Sequence, residues 1–223
     1  VSKDPGCERV GLELEKFAMD AQGMPLPVFG ERSVQAILEA LERRFGWKAE
    51  RDLEFIIALH RDGVIVSVEP GGQLELSTPP GCSLDQAFAF EQAHLKELAE
   101  ITRGWGIAWC GAGVHPNARL EQVDWIPKRR YLIMRDYLGR QGDLAHWMMK
   151  MTASLQVSVD YRDEADAARK LAVAARLVPI LTAMCAASPI VEGRPSGYKS
   201  FRSHIWTRTD PARCGLPDCF FKP

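Results

Sequence analysis

The sequence predicts an α+β fold: one domain over residues 1–223, built on a largely antiparallel sheet flanked by helices. Two observations lead to this prediction. Short segments that alternate apolar and polar residues are mixed irregularly with longer segments of helical spacing, and no fixed-period repeat links them. Hydrophobic residues also make up 46% of the chain, and a chain of this length buries about 70% of its unfolded surface.

The first predicted elements are a strand and a helix. Residues 9–17 alternate with period two, which is typical of a strand with one apolar face. A loop rich in glycine and proline follows. Ser33 is then a suitable N-cap for an amphipathic helix that ends near Gly46.

A meander of strands is predicted next. Residues 56–59 and 64–68 are β-rich and flank an Asp-Gly pair, which favours a tight hairpin turn. Pro-Gly-Gly at 70–72 interrupts the pattern, and residues 73–77 resume the alternation. We expect a turn or bulge between these two strand segments, with the glycines allowing close approach of the backbone to a ligand.

The second half of the chain continues this mixture of elements. Residues 83–103 combine a capping start with strong helix formers and predict a long amphipathic helix. The remaining predicted elements are a short strand at 107–114, helices at 129–138 and 144–151, a half-polar strand at 152–161, and an Ala-rich helix at 163–187 that Pro179 kinks.

Composition excludes several classes of protein. The chain carries 28 basic and 29 acidic residues, a net charge of −1, so no basic field favours nucleic acid or anionic membranes. No segment approaches the ~20 apolar residues of a membrane span, and no signal sequence is evident, so the expected location is the cytoplasm. The six cysteines are dispersed without a Cys-x-x-Cys pair and are expected to be reduced thiols.

The feature that points to chemistry is a set of polar side chains on one face of several strands, opposite a strictly apolar face. These residues are Glu13, Glu15, Glu69, Gln73, Glu75, Gln156 and Asp160. They are also compatible with an ordinary solvated sheet face. If the strands adjoin, however, four glutamates repel one another, and Mg²⁺ with its oxygen ligands relieves that repulsion. A magnesium-dependent nucleoside triphosphate site without a P-loop is therefore expected.

Basic residues supply the other half of such a site. They cluster in residues 128–135 and around Arg202. Arginine holds carboxylates and phosphates through a bidentate grip, although solvated surface charge explains most basic runs equally well. The five histidines show no zinc motif, and the Trp and Met residues of 146–149 are expected to pack in a helix core.

Several of these segments together resemble the glutamate–cysteine ligase family of plants and many bacteria. The resemblance extends in order from about residue 9 to about residue 217. It is carried by residues 10–17, 67–77, 127–134, 155–160, 187–193 and 201–206.

The resemblance implies a curved antiparallel sheet with a polar concave face, related to glutamine synthetase. It also implies ATP- and Mg²⁺-dependent ligation of the γ-carboxyl of glutamate to cysteine. By similarity, magnesium would be held by Glu13, Glu15, Glu69 and Glu75. Arg130 and Arg202 would hold glutamate and carry the chemistry, with further substrate contacts from Gln73, Arg135, Gln156 and Trp206.

Two features limit the transfer from the family. Ser158 stands where plant members commonly have Asn, and family members continue beyond the equivalent of Pro223, so the domain is expected to lack a C-terminal portion. The alternatives left open are another ATP-dependent carboxylate–amine ligase and a non-catalytic binding or regulatory homologue. The expected partners are small molecules only, and the oligomeric state is not predicted.

Overall fold

The computed structural model describes residues 3–4 and 6–221. Its six helices are α1 (Val34–Phe45), α2 (Leu84–Ile101), α3 (Arg129–Leu138), α4 (Ala145–Met151), α5 (Glu164–Met184) and α6 (Phe201–Thr207). Its strands are β1 (Val10–Met19), β2 (Lys48–Asp52), β3 (Phe55–Arg61), β4 (Val64–Val68), β5 (Leu74–Ser77), β6 (Ala108–Cys110), β7 (Leu155–Val159), β8 (Ile190–Val191) and β9 (Arg194–Pro195).

Seven strands form one sheet in which every pairing is antiparallel, in the order β2-β3-β4-β5-β1-β6. The strand β7 also pairs with β1, over residues 10–14, whereas β6 pairs with residues 17–19. The long strand β1 is therefore the one that joins the meander to the second half of the chain. This topology confirms the predicted α+β class and the antiparallel sheet.

The main core covers the apolar face of β3, β4 and β5. Leu76 and Val66 are fully buried there, together with residues of α1 and α2. The helix α1 begins as the sequence predicts, because the Ser33 hydroxyl accepts a hydrogen bond from the backbone N–H of Ala36 at 3.1 Å. It ends at Gly46, whose left-handed backbone (φ 73°) suits a residue without a Cβ.

The hairpin between β3 and β4 also follows the prediction. Asp62 and Gly63 both have positive φ, at 51° and 80°, which is the backbone of a type I′ turn. The strand β2 was not predicted, since Lys-Ala-Glu-Arg-Asp shows no alternation of apolar residues. The strand expected at 107–114 is confined to Ala108–Cys110.

A second apolar cluster lies beside the main core. Its buried members are Val114, Ala118, Val123, Met151 and Ile205. It brings the end of α4 and the helix α6, which was not among the predicted elements, next to the start of β7.

The turn at 70–72 joins these two halves. A Cβ on Gly71 would lie only 2.2 Å from the carbonyl oxygen of Lys150, so the glycine allows the turn to pack against the end of α4. The glycine at position 71 therefore allows a close approach between the turn and the backbone of α4.

Two further observations bear on the sequence predictions. Within residues 3–4 and 6–221 no helix combines the length and the hydrophobicity that crossing a membrane requires. Cys7, Cys82, Cys110, Cys185 and Cys214 are free thiols, as expected. The prediction of a single domain over 1–223 and the bend at Pro179 remain predictions, and α5 continues through that proline.

Candidate active site

Carboxylates from neighbouring strands meet on the polar face of the sheet. Glu75 of β5 lies directly opposite Glu15 of β1 on one side and Ser67 of β4 on the other. Glu13, two residues before Glu15 in β1, has Ser77 and Gln156 as its two cross-strand partners. The alternation in the sequence therefore did identify residues that share one face, and the register places them in two adjacent rows.

Short polar side chains hold these carboxylates in place. The Gln156 amide donates to Glu15 Oε1 at 2.9 Å, and the Ser154 hydroxyl donates to Glu15 Oε2 at 3.2 Å. Glu75 Oε1 accepts from the hydroxyls of Ser67 and Ser77 at 3.2 and 3.1 Å. Hydrogen-bond donors thus fix the carboxylates without neutralising them.

Burial and, after it, charge repulsion disfavour the ionised forms of three of these carboxylates. Burial raises the pKa of Glu69 to about 7, and the negative charges of Glu75 and Glu15 add to that effect. Burial and the charge of Glu75 likewise raise the pKa of Glu15. The same two causes raise the pKa of Glu13, which is less buried. A group of four carboxylates, three of which have raised pKa values, forms a site that favours a cation.

Glu69 follows the end of β4 and contacts α3. The Tyr131 hydroxyl donates to the carbonyl of Val68 at 2.9 Å and lies 3.4 Å from Glu69 Oε1. Burial, followed by the charge of Glu69, raises the pKa of Tyr131 beyond its ordinary range, so this hydroxyl remains a donor. Tyr131 was missed by the sequence reasoning, although it lies within the segment 127–134 that carries the resemblance.

A cavity of about 540 Å³ opens over this face. Seven of its lining residues were predicted from the sequence: Glu15, Glu69, Gln73, Arg130, Gln156, Arg202 and Trp206. The others are Ser67, Pro70, Lys128, Tyr131, Met134, Met148, Met149, Thr152 and Ser154. Met148 and Met149 were expected to be core residues without a part in the site, and their helical spacing gave no signal of a cavity.

Arg202 is a half-buried cation of the site. Burial lowers its pKa, and the nearby charge of Glu15 opposes that shift. Its Nε atom is buried and has no hydrogen-bond partner among the described residues. The guanidinium carbon lies 5.9 Å from the ring centroid of Trp206, and the backbone N–H of Arg202 donates to the Ser188 hydroxyl at 3.0 Å. The residue is thus fixed through its backbone while its side chain lacks a full set of acceptors.

The basic segment on α3 divides between two environments. Arg130 is exposed at the cavity wall, next to Lys128, whose ammonium lies 4.8 Å from the Tyr131 ring centroid. Arg135 is not among the lining residues, and its guanidinium pairs with Asp136 at 3.0 Å. The structure therefore brings Arg130 and Arg202 to the cavity and leaves Arg135 outside it.

Gln73 lines the cavity but uses its amide internally. Its side-chain nitrogen donates to the carbonyl of Thr152 at 2.7 Å, and its oxygen accepts from the N–H of Gly71 at 3.0 Å. The side chain is 1% exposed. It joins the 70–72 turn to the segment that precedes β7, so its contribution to the site is through the placement of these loops.

The oxygen donors suit magnesium in type but not as a complete set. Among the residues that the structure describes, no three Asp, Glu, His or Cys side chains are close enough together to hold a metal ion by themselves. Mg²⁺ usually takes only one or two protein carboxylates and completes its shell with phosphate oxygens and water. The residues present therefore fit an ion that arrives with a phosphate group. Glu13 and Glu75 lie on the same face but outside the cavity lining.

Comparison with known proteins now gives this face its context. The model of the glutamate-cysteine ligase family 2 matches residues 9–222. The chain belongs to this family. Three similar proteins are each named as chloroplastic glutamate–cysteine ligase. The one from Brassica juncea is 38% identical over 216 residues, covering 95% of this chain and 42% of the relative.

The other two give nearly the same values. The protein from Nicotiana tabacum is 39% identical and that from Arabidopsis thaliana 38%, each over 95% of this chain and 41% of the relative. The chain therefore spans less than half the length of these relatives. Their names place them in chloroplasts, so the cytoplasmic location expected from the sequence gains no support from them and stays a prediction.

Proposed function

We propose that this chain forms the glutamate-activating part of an ATP-dependent glutamate–cysteine ligase. In the proposed reaction an oxygen of the γ-carboxylate of glutamate attacks the terminal phosphorus of ATP, giving γ-glutamyl phosphate and ADP. The amine nitrogen of cysteine then attacks the activated carbonyl carbon. Phosphate leaves with the bonding electrons, the amine loses a proton to solvent, and γ-glutamylcysteine is formed.

The observation that carries this proposal is the environment of Arg202. A half-buried guanidinium whose buried Nε has no hydrogen-bond partner is costly, and a carboxylate that accepts two parallel N–H bonds removes that cost. Glu15 is the nearby acid whose charge acts on Arg202, but Glu15 already accepts hydrogen bonds from Gln156 and Ser154. The carboxylate of a bound glutamate is therefore the proposed partner. Arg130 is proposed to hold the same substrate from the α3 side, with Trp206 and Gln156 shaping the pocket.

The glutamates are proposed to receive the nucleotide. Glu13, Glu15, Glu69 and Glu75 would act jointly as a magnesium platform, in which one or two carboxylates contact an ion that phosphate oxygens and water also bind. When bound, the ion would offset the charge of the triphosphate and polarise the transferred phosphoryl group. The raised pKa values of Glu13, Glu15 and Glu69 support this assignment, since their mutual repulsion is released when a cation binds. The related proposal that the sheet is of the glutamine synthetase type rests on the family resemblance.

Phosphate release by the natural-length protein tests the reaction. We expect release to require ATP, glutamate and cysteine together. Replacing cysteine with other amines separates the proposed ligase from a carboxylate–amine ligase with another acceptor. Binding of glutamate and ATP without any phosphate release would instead identify a non-catalytic homologue.

Arg202→Lys tests the residue assignment. The lysine keeps the charge but loses the planar fork, so KM for glutamate should rise roughly tenfold or more while the protein stays folded. The matched control is Arg103→Lys, at an exposed arginine just after the end of α2. It should leave KM for glutamate unchanged. An unchanged KM for glutamate in Arg202→Lys would remove Arg202 from the substrate site.

Glu75→Gln tests the proposed magnesium platform. Neutralising this carboxylate should raise the Mg²⁺ concentration required for half-maximal phosphate release, while the folded protein without metal becomes no less stable. Normal magnesium dependence and normal turnover would exclude Glu75. In that case the carboxylate row would be a solvated sheet face, as the sequence also allowed.

A further inference from the structure

The outer surface formed by β7 and α5 is an apolar face without a partner in the described structure. All five residues of β7 are exposed. Leu155, Val157 and Val159 project from one side of the strand with 66%, 56% and 56% of their surface accessible. These three form the apolar side of the half-polar strand predicted at 152–161, and the described residues do not cover them.

The helix α5 shows the same feature over a greater length. Of its 21 residues only Asp166 and Ala175 are buried. Val173, Leu177, Ile180 and Met184 follow one another at spacings of four, three and four residues and are all exposed, Met184 to 77%. That spacing places them along one side of the helix, as in a helix that packs against another apolar element. A helix of this length gains most of its stability from such packing.

A groove of about 620 Å³ runs between the two elements. Eight of its ten lining residues are apolar or aromatic, among them Val157, Val159, Val173 and Leu177, and the other two are Arg169 and Lys170. The seven apolar side chains named above are each between 41% and 77% exposed, whereas an ordinary monomer rarely exposes a large contiguous apolar patch, and such patches mark interaction sites.

The open edge of β7 indicates that the occupant of the groove is a polypeptide, and two basic side chains lie beside it. Lys170 pairs with the buried carboxylate of Asp166 at 2.9 Å, and Arg169 contacts the same carboxylate. One carboxylate offsets only one of these two positive charges, so a basic rim remains beside the apolar lining of the groove. Within the described residues β7 pairs only with β1, so one edge of β7 is open to a further strand.

The length of the relatives indicates which polypeptide this is. They extend over more than twice the matched length, since the match covers only 41–42% of them. We propose that the β7–α5 face docks a companion segment, defined as the polypeptide that these ligases have outside the matched 216 residues. The companion segment places apolar side chains over Val173, Leu177 and Ile180 and covers Leu155 and Val157. This inference rests on family membership and not on the proposed reaction.

Hydrogen exchange measured by mass spectrometry tests the proposal. Two proteins are compared: the 223-residue chain, and a hybrid in which this chain replaces the matched segment of the Brassica juncea relative. Amides of residues 155–184 should exchange at least about tenfold more slowly in the hybrid, because covering the face suppresses local opening. Amides of β3 and β4, which are buried in both proteins, should not change.

Ile180→Glu and Leu84→Glu form the matched pair of variants. Ile180→Glu in the hybrid should restore fast exchange in 155–184, whereas Leu84→Glu, on an exposed leucine of α2 outside the face, should not. If the hybrid aggregates, the companion segment is added as a separate chain to the 223-residue protein and the same protection is measured. Turnover is not part of this test, so its outcome is independent of the proposed reaction.

Two results would overturn the inference. The first is exchange in 155–184 that stays as fast in the hybrid, or with the separate companion segment, as in the chain alone. The second is a dimer of the 223-residue chain in sedimentation experiments that already protects 155–184 and is dissociated by Ile180→Glu. That second result would assign the face to another copy of this chain.

Discussion

Strands β5 and β7 pair with opposite edges of β1 and carry the same alternation of apolar and polar residues. Leu14 of β1 lies opposite Leu76 on one side and Leu155 on the other, so all three side chains project from one face of the sheet. Leu76 is fully buried, whereas Leu155 is 66% exposed. Alternation therefore determines which face a side chain occupies, while elements distant in sequence determine whether that face is covered.

Truncating these two leucines gives the largest expected difference. Leu76→Ala should lower the free energy of unfolding by about 2–5 kcal/mol, because it leaves a cavity beneath the helices. Leu155→Ala removes the same atoms from an exposed position and should cost no more than about 0.5 kcal/mol. Urea unfolding of both variants of the 223-residue chain measures the difference. Equal losses would mean that the β7 face is already covered in solution.

The contact between the 70–72 turn and the end of α4 gives the second expected difference. Gly71→Ala sets a Cβ against the carbonyl of Lys150 and should cost about 1–3 kcal/mol, as overpacking does. Gly111→Ala meets no atom within 4 Å and is the control, with an expected change near zero. Thermal melts distinguish the two. A neutral Gly71→Ala would show that the turn and α4 move apart at little cost.

The polar face is compared with the apolar one through the pH dependence of stability. Folding raises the pKa of Glu69 from 4.5 to about 7, so the folded state holds this proton more tightly than the unfolded state. The resulting stabilisation is fully present below pH 4.5 and is lost as the pH rises through about 7. Glu69→Gln cannot ionise and should exceed the wild type in stability at pH 8 by about 3 kcal/mol.

Melting curves of wild type and Glu69→Gln at pH 5 and pH 8 check this expectation. Glu54→Gln neutralises an exposed glutamate of the β2–β3 turn and should leave the pH dependence as it is in the wild type. Parallel pH profiles for wild type and Glu69→Gln would show that folding does not raise the pKa of Glu69.

Helix caps give the smallest expected difference. Ser33→Ala removes the cap of α1, whose inner face is buried, and should lower global stability by about 1 kcal/mol. Asp163 caps α5 by accepting the N–H of Asp166 at 2.8 Å. Asp163→Ala should instead speed exchange in the first turn of α5 and change global stability by less than about 0.5 kcal/mol. A global loss of 1 kcal/mol from Asp163→Ala would show that α5 unfolds together with the main core.

Much of the candidate site was accessible from the sequence. Glu15 and Glu69 were chosen because they alternate with apolar residues, and Arg202 because it lies among aromatic residues in a segment that resembles the ligase family. All three line the same cavity. Arg135 was predicted as a site residue from the same basic segment as Arg130. The packing of α3 places Arg130 at the cavity and leaves Arg135 outside it.

Other members of the site gave no signal of their own. Tyr131 contacts Glu69 because α3 crosses the end of β4, and the methionines of α4 reach the cavity because that helix packs behind the 70–72 turn. The role of Gln73 also changed with tertiary contacts, since its amide is used by the backbone of Gly71 and Thr152. Contacts of this kind join residues about 60–80 positions apart, beyond the range of any local pattern.

The sequence by itself determined the class of fold, the main strands and helices, and which face of each strand is polar. These follow from backbone propensities and side-chain periodicity, which act over a few residues. The tertiary structure alone decided that Glu75 stands between Glu15 and Ser67, that Arg202 lacks a full set of acceptors, and that Leu155 is exposed while Leu76 is buried. Strand order, register and coverage depend on contacts between distant segments, and the same alternating pattern is compatible with a buried or an open face.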